Sequence, residues 1–342
     1  MSHIKTCVSL YSLQDEYMRK RMSFEDIFRF LSDNGVESVE FLPDQMMHGT
    51  PEPSKETVAK WKRLLETYQI MPVCIDVFLN TNLYRNRELT PRECVALLVK
   101  EIKLAHMLGV KLVRLVSMTP AFVLEPLLPF CEQYDVKVAL EIHAGLSFDK
   151  KKTADYITEM KRLNSPYVGI VLDGSIFCRR IPRVVEAYGR MLGTNDEIIA
   201  FLQKTFEQGK DERSLIKNDG SYIDEFAALM KTRADRLFAE FASGYENEPY
   251  SVLDDLMPYV FHIHAKLYEM TDEDIEYSID YRSFIQYLHD HNYDGSIATE
   301  YEGNRWTLPG KPVVEKEQTK RHQAMLKRMI TEIESKGEKK NV

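Results

Sequence analysis

Lys137-Val138-Ala139-Leu140-Glu141-Ile142-His143 is a short apolar run that closes on two ionisable side chains, and Val168-Gly169-Ile170-Val171-Leu172-Asp173 repeats the design one unit later. Strands buried on both faces read this way, as Val- and Ile-rich stretches. Working outward, the same reading gives strands at Ile4–Leu10, Val36–Leu42, Met71–Phe78, Lys111–Ser117, Val260–Tyr268 and Ser296–Tyr301, eight in all. Helix signals fall between them. Ser23-Phe24-Glu25-Asp26 resembles a capping box and opens an apolar stripe of Phe24, Ile27, Phe28 and Leu31, which Asp33-Asn34-Gly35 stops. Thr90-Pro91-Arg92-Glu93 supplies cap, first-turn proline and reciprocal acid for a helix ending before Gly109. Alternating strands and helices demand parallel pairing through crossovers.

Eight such units predict a (β/α)8 barrel over residues 1–336 rather than a doubly wound sheet, since no GxGxxG turn follows the first strand. Most strand starts are about 30 to 40 residues apart. The gap from Asp173 to Val260 is far longer and predicts a helical insertion over about 174–258, with helices at Asp196–Gln208 and Tyr222–Phe241 around a charged stretch, Gly209–Gly220. Residues 337–342 are expected to form a frayed tail.

With 342 residues, 44% hydrophobic and 29% charged, the chain is neither disordered nor of low complexity. A net charge of −8 lacks the electrostatic footprint of a nucleic-acid binder. Five scattered cysteines with no CxxC argue against a disulfide framework or a thiolate zinc site. No signal-peptide-like or membrane-spanning apolar run is seen, so a cytoplasmic protein with no membrane partner is expected.

Barrels of this kind carry their chemistry at the C-terminal ends of the strands. The last four strands end alike: Glu141 and His143, then Asp173, then His262, His264 and Lys266, then Glu300 and Glu302. Alternation puts Glu141 with His143 on one face, His262, His264 and Lys266 on another, and Glu300 with Glu302 on a third. A ring of Glu141, Asp173, His264 and Glu300 offers three carboxylates and an imidazole, which would repel one another without a cation and which suit one divalent ion. Mn²⁺ is expected first, with Mg²⁺, Fe²⁺ or Co²⁺ as alternatives. An isolated strand-end acid is more often a cap or a surface ion pair; four at equivalent positions are not. His262 reads as an alternative ligand or a satisfied core histidine. Lys266, Glu302, Tyr11, Gln45 and Asp76 are candidate substrate contacts, each open to an ordinary structural reading, and Arg114 is a candidate counterweight to the acids.

These segments resemble the xylose isomerase-like barrel superfamily, whose sugar isomerases and epimerases hold a divalent ion with Glu, Asp, His and Glu from the last four strands. Val8-Ser9-Leu10-Tyr11-Ser12-Leu13-Gln14-Asp15-Glu16-Tyr17, Asp44-Gln45-Met46 and Asp76-Val77-Phe78-Leu79-Asn80-Thr81-Asn82-Leu83-Tyr84 resemble, more narrowly, the α subunit of bacterial C-glycoside deglycosidases. One departure separates the chain from the ketose 3-epimerases, which carry Asp-x-x-His after strand six. Here the run is Asp173-Gly174-Ser175-Ile176, and His143 stands two residues after Glu141 instead. The narrower resemblance implies cleavage of a sugar–aryl carbon–carbon bond in a 3-oxo-C-glycoside, with His143 as base, and a small β-rich β subunit as partner in a hetero-oligomer. Protonating a glycosidic oxygen cannot break such a bond, so the two-carboxylate hydrolase scheme does not apply. A C3 ketone instead acidifies the C2 proton, which makes the activity a lyase reaction. The alternatives are a metal-dependent ketose or inositol-type epimerase or isomerase, and a sugar-binding barrel without catalysis.

Overall fold

A computed structural model describes residues 3–340. Eight strands run β1 (Lys5–Ser9), β2 (Ser38–Phe41), β3 (Met71–Val77), β4 (Leu112–Leu115), β5 (Lys137–Ile142), β6 (Val168–Asp173), β7 (Val260–Leu267) and β8 (Ser296–Tyr301). They pair in sequence order into a closed barrel, β8 returning to β1, with every pairing parallel. The eight-stranded parallel barrel read from the sequence is therefore the observed architecture.

The crossover helices begin where the caps said they would. Ser23 accepts from Asp26 N while Asp26 caps Ser23 in return, starting Phe24–Asp33. Thr90 and Glu93 do the same for Pro91–Leu108, which Gly109 closes at φ +79, a backbone angle that favours glycine. The outer face of the barrel packs on these helices; Trp61 stacks on Phe41 at 4.4 Å and donates its indole N–H to Leu108 O at 3.0 Å.

Inside the barrel, alternation stacks an apolar layer under an ionic one. Cys74, Leu112, Ala139 and Val171 form a buried cluster, and each stands two residues before a charged one, namely Asp76, Arg114, Glu141 and Asp173. Strand register then sets the charged residues side by side: Asp76 opposite Arg114, Asp173 opposite His264, and Lys266 opposite Glu300.

Between β6 and β7 lie helices Arg183–Leu192, Asp196–Glu207, Asp224–Ala227 and Arg233–Ala242. The single helix expected over Tyr222–Phe241 is two pieces. Thr232 and Asp235 form a capping box that starts a fresh helix and interrupts the earlier one. Glu246 ties this segment to the loop after β5, accepting from Gly145 N at 2.8 Å and from the Ser147 hydroxyl. The last helix, Glu315–Lys340, runs past the point where the tail was expected to start, and residues 341–342 lie outside the described residues.

Candidate metal and substrate site

At the C-terminal ends of the strands the barrel opens into a cavity of about 300 Å³. Glu141, Asp173, His264 and Glu300 meet beneath it, each buried, with one potential donor atom apiece all within 4.8 Å of one another. His264 Nδ1 lies 2.9 Å from Glu141 Oε1, 3.3 Å from Glu300 Oε2 and 4.0 Å from Asp173 Oδ2.

Cations already balance this set. Lys266 Nζ stands 2.7 Å from Asp173 Oδ2, 2.6 Å from Glu300 Oε2 and 3.3 Å from Glu302 Oε1. Arg114 bridges Glu141 at 2.8 Å and Asp76 at 3.4 Å. Burial resists every one of these charges, and the ion pairs overcome it. Against burial, Lys266 and His264 hold Glu300 down at about 2. Arg114 and His264 likewise keep Glu141 well below the usual carboxylate range. Burial would strip the His264 proton, but Glu40, Glu300 and Glu141 retain it. Asp76 goes the other way: burial, reinforced by Glu40, pushes it well up despite Arg114. Glu302 is raised by burial and by Glu300 against Lys266.

Three carboxylates and one imidazole, buried and convergent, fit a divalent ion. The donors are oxygen and nitrogen, which suit Mn²⁺, Mg²⁺, Fe²⁺ or Co²⁺. Glu141, Asp173, His264 and Glu300 are the residues that could hold it.

His143 lines the cavity, half-buried. Its Nδ1 lies 2.6 Å from Ala144 O. A carbonyl only accepts, so in the neutral ring Nδ1 carries the proton and Nε2 keeps its lone pair. Ser175 Oγ accepts from Ala144 N at 3.0 Å, and the Glu246 contacts fix the next turn of the same loop.

Lys266, Glu302, Tyr11 and Asp76 also line the cavity. Tyr11 OH accepts from Arg305 Nε at 2.9 Å, and Arg305 pairs with Glu302 at 3.1 Å. Gln45 does not line it. The short helix Pro43–Met46 turns its amide to Gln14 instead. His262 pairs with Glu40, its Nε2 2.8 Å from Glu40 Oε2, and is not one of the four convergent residues. Sequence reasoning missed Glu40 and Arg305. The only signal for Glu40 was an acid in the middle of a strand buried on both faces; Arg305 carried none.

The fold is a xylose isomerase-like TIM barrel, and the family profile of that description matches residues 28–178. Across most of its length the chain is similar to curated deglycosidase subunits. It is 25% identical to the C-glycoside deglycosidase alpha subunit of Arthrobacter globiformis over 87% of this chain and 84% of that one. It is 24% identical to the 3'-dehydrocarminate deglycosidase alpha subunit of a Microbacterium species over 96% of both. Among solved structures, an L-ribulose 3-epimerase superposes with a TM-score of 0.56 at 11% identity, covering 99% of this chain and 98% of that one, which speaks for the fold alone. Among the described residues, no helix is long and apolar enough to cross a membrane.

Proposed function

We propose that this chain is the catalytic subunit of a metal-dependent C-glycoside deglycosidase, a carbon–carbon lyase acting on 3-oxo-C-glycosides. The observation that carries the reading is His143 on the cavity wall with Nδ1 engaged and Nε2 left basic, beside the convergent carboxylate–imidazole set. The deglycosidase names of relatives aligned over most of the chain support it, one of them named for a 3'-dehydro substrate.

Held by Glu141, Asp173, His264 and Glu300, a divalent ion, Mn²⁺ first, supplies Lewis acidity toward the sugar carbonyl. The chain's own groups do the rest. His143 Nε2 takes the proton from C2. That electron pair becomes the C1=C2 bond as the C1–aryl bond breaks, and the aryl carbon gains a proton. The proton removed balances the proton gained, no water is consumed, and the products are an unsaturated 3-oxo sugar and the free aglycone. Lys266, Glu302 and Tyr11 line the cavity, and this reading assigns them to the sugar hydroxyls.

Charge bears on the sugar. Each cavity cation, Arg114, Lys266 and Arg305, is already paired with a carboxylate among the described residues. Such a site favours a neutral sugar over a phosphorylated one, whose phosphate calls for an unshared cation. Polarity bears on the aglycone: Leu42, Phe78 and Val116 give the cavity an apolar wall on the side of β2 to β4, and Phe78 is 47% exposed, open to an aryl ring. The relatives' designation as alpha subunits supports a second subunit as partner, which this reading takes to be small and β-rich and to form a hetero-oligomer with the chain. Five buried free cysteines suit a reducing cytoplasm.

The test is release of aglycone from a 3-oxo-C-glucoside by the Mn²⁺-loaded chain, alone and with any small protein that copurifies with it. Aglycone release with an unsaturated keto-sugar as co-product is expected. Epimer exchange of free ketoses with an inert C-glucoside would place the chain with the epimerases instead.

A further inference from the structure

Glu40 occupies the middle of β2 and is fully buried. Its Oε2 lies 3.0 Å from His264 Nε2 and 2.8 Å from His262 Nε2. The opposite nitrogen of the same imidazole, His264 Nδ1, faces Glu141, Glu300 and Asp173. The ring therefore stands between two acidic groups of different kind: a single carboxylate behind it and a convergent trio in front. His264 has no exposed surface, and the His262 ring packs against it edge-on at 5.7 Å. Turning the imidazole over would set carbon atoms against both acidic groups.

We infer that Glu40 is a positioning residue for the His264 imidazole. By accepting the Nε2 proton it keeps that nitrogen protonated, so that Nδ1, which faces Glu141, Asp173 and Glu300, is the nitrogen free to give up its proton to a metal held there, and it fixes the plane of the ring. His262 Nε2 lies 2.8 Å from the same oxygen. Imidazoles that bind metal donate their other N–H in this manner, and loss of the acceptor commonly weakens the metal by about 10- to 100-fold. Glu40 is not itself one of the four convergent residues, although with His262 and His264 it makes a second close group of potential donors. The inference rests on reading those four side chains as a metal site.

The experiment is calorimetric titration of chelator-treated protein with MnCl₂, for wild type, Glu40→Gln, Glu40→Ala and Glu300→Ala, with melting curves of each metal-free protein. Gln keeps the shape of Glu40 but offers one acceptor and no charge. Wild type should take one ion per chain. Glu40→Gln should also take one, about 10- to 100-fold more weakly, with a metal-free melting temperature near that of wild type. An affinity within twofold of wild type would overturn the inference. So would two ions in wild type falling to one in Glu40→Gln, which would make Glu40 a ligand in its own right. Absence of binding to folded wild type would instead remove the metal site, and with it any positioning role. If Glu40→Ala does not fold, Glu40→Gln decides.

Discussion

Lys266 Nζ lies 2.7 Å from Asp173 Oδ2, so an ammonium stands on the same carboxylate oxygens that converge with His264. A divalent ion and this ammonium therefore compete for one pool of negative charge. Two unit charges about 4 Å apart interact by roughly 4 kcal/mol at an effective dielectric of about 20. Lys266→Met should accordingly tighten Mn²⁺ binding, by about tenfold or more, while lowering turnover. Weaker binding in calorimetry would mean that Lys266 holds the carboxylates in place rather than competing for them.

Glu300 and Glu302 share a face at the end of β8 but have different neighbours. Glu300 is 3.3 Å from His264 Nδ1, whereas Glu302 faces Lys266 and Arg305. Glu141→Ala and Glu300→Ala should therefore emerge from purification without bound metal, and Glu302→Ala should keep it. Metal content by elemental analysis separates the three, and full metal in Glu300→Ala would take that residue out of the ligand set.

For His143 the expectation runs the other way. His143→Ala should fold and hold metal normally but lose turnover by about 10²- to 10⁴-fold, the range for a general base. Substrate deuterated at C2 should react more slowly with wild type. Near-normal turnover in the variant would end the assignment of His143 as base.

These four ring residues could be read from the sequence because each acid or histidine closes an apolar run, where a strand buried on both faces tolerates no stray charge. The eight strands were legible for the same reason. β2 nevertheless starts at Ser38, not Val36, because Val36 N donates to Leu31 O and closes the preceding helix before the ladder begins. Helix Arg183–Leu192 was not singled out within the insertion; in the fold the missing side chain of Gly189 is what lets the Phe238 ring lie against that helix. Glu40 escaped because its partner His264 stands 224 positions away, and one acid in a strand says nothing of what it will meet. Gln45 was placed by loop position alone, and a short helix that position cannot foretell turns it aside.

Glu276 offers a pH test outside the ionic cluster. It is buried, and Ser278 N and Ile279 N donate to it at 2.6 Å, Tyr268 N at 3.3 Å. Burial nonetheless pushes its carboxyl up to about 7 from 4.5. Between those two values the native chain binds a proton that the unfolded chain has released, so this residue's contribution to stability falls as pH rises through the window. The cost is of order 3 kcal/mol above pH 7. Comparing urea unfolding at pH 5 and pH 8, Glu276→Gln should lose less stability over that interval than wild type; an equal loss in both would show that Glu276 ionises normally.

Gly303 follows Glu302 directly and is buried against the end of β7. A Cβ there would overlap the Tyr268 carbonyl oxygen and come within 2.6 Å of the Tyr301 ring. Backbone cannot yield as a long side chain can, so Gly303→Ala must move the chain after β8. Overpacking of this kind costs about 1 to 3 kcal/mol. Glu302 N donates to Leu267 O at 2.8 Å, and that bond carries the Glu302 carboxylate to Lys266. The displacement should therefore reach the cavity as well as the fold. Gly303→Ala is expected to melt several degrees lower and, assayed well below its melting point, to show a raised KM with metal content unchanged. If melting temperature and KM both match wild type, the close approach of these two strand ends does not constrain the cavity.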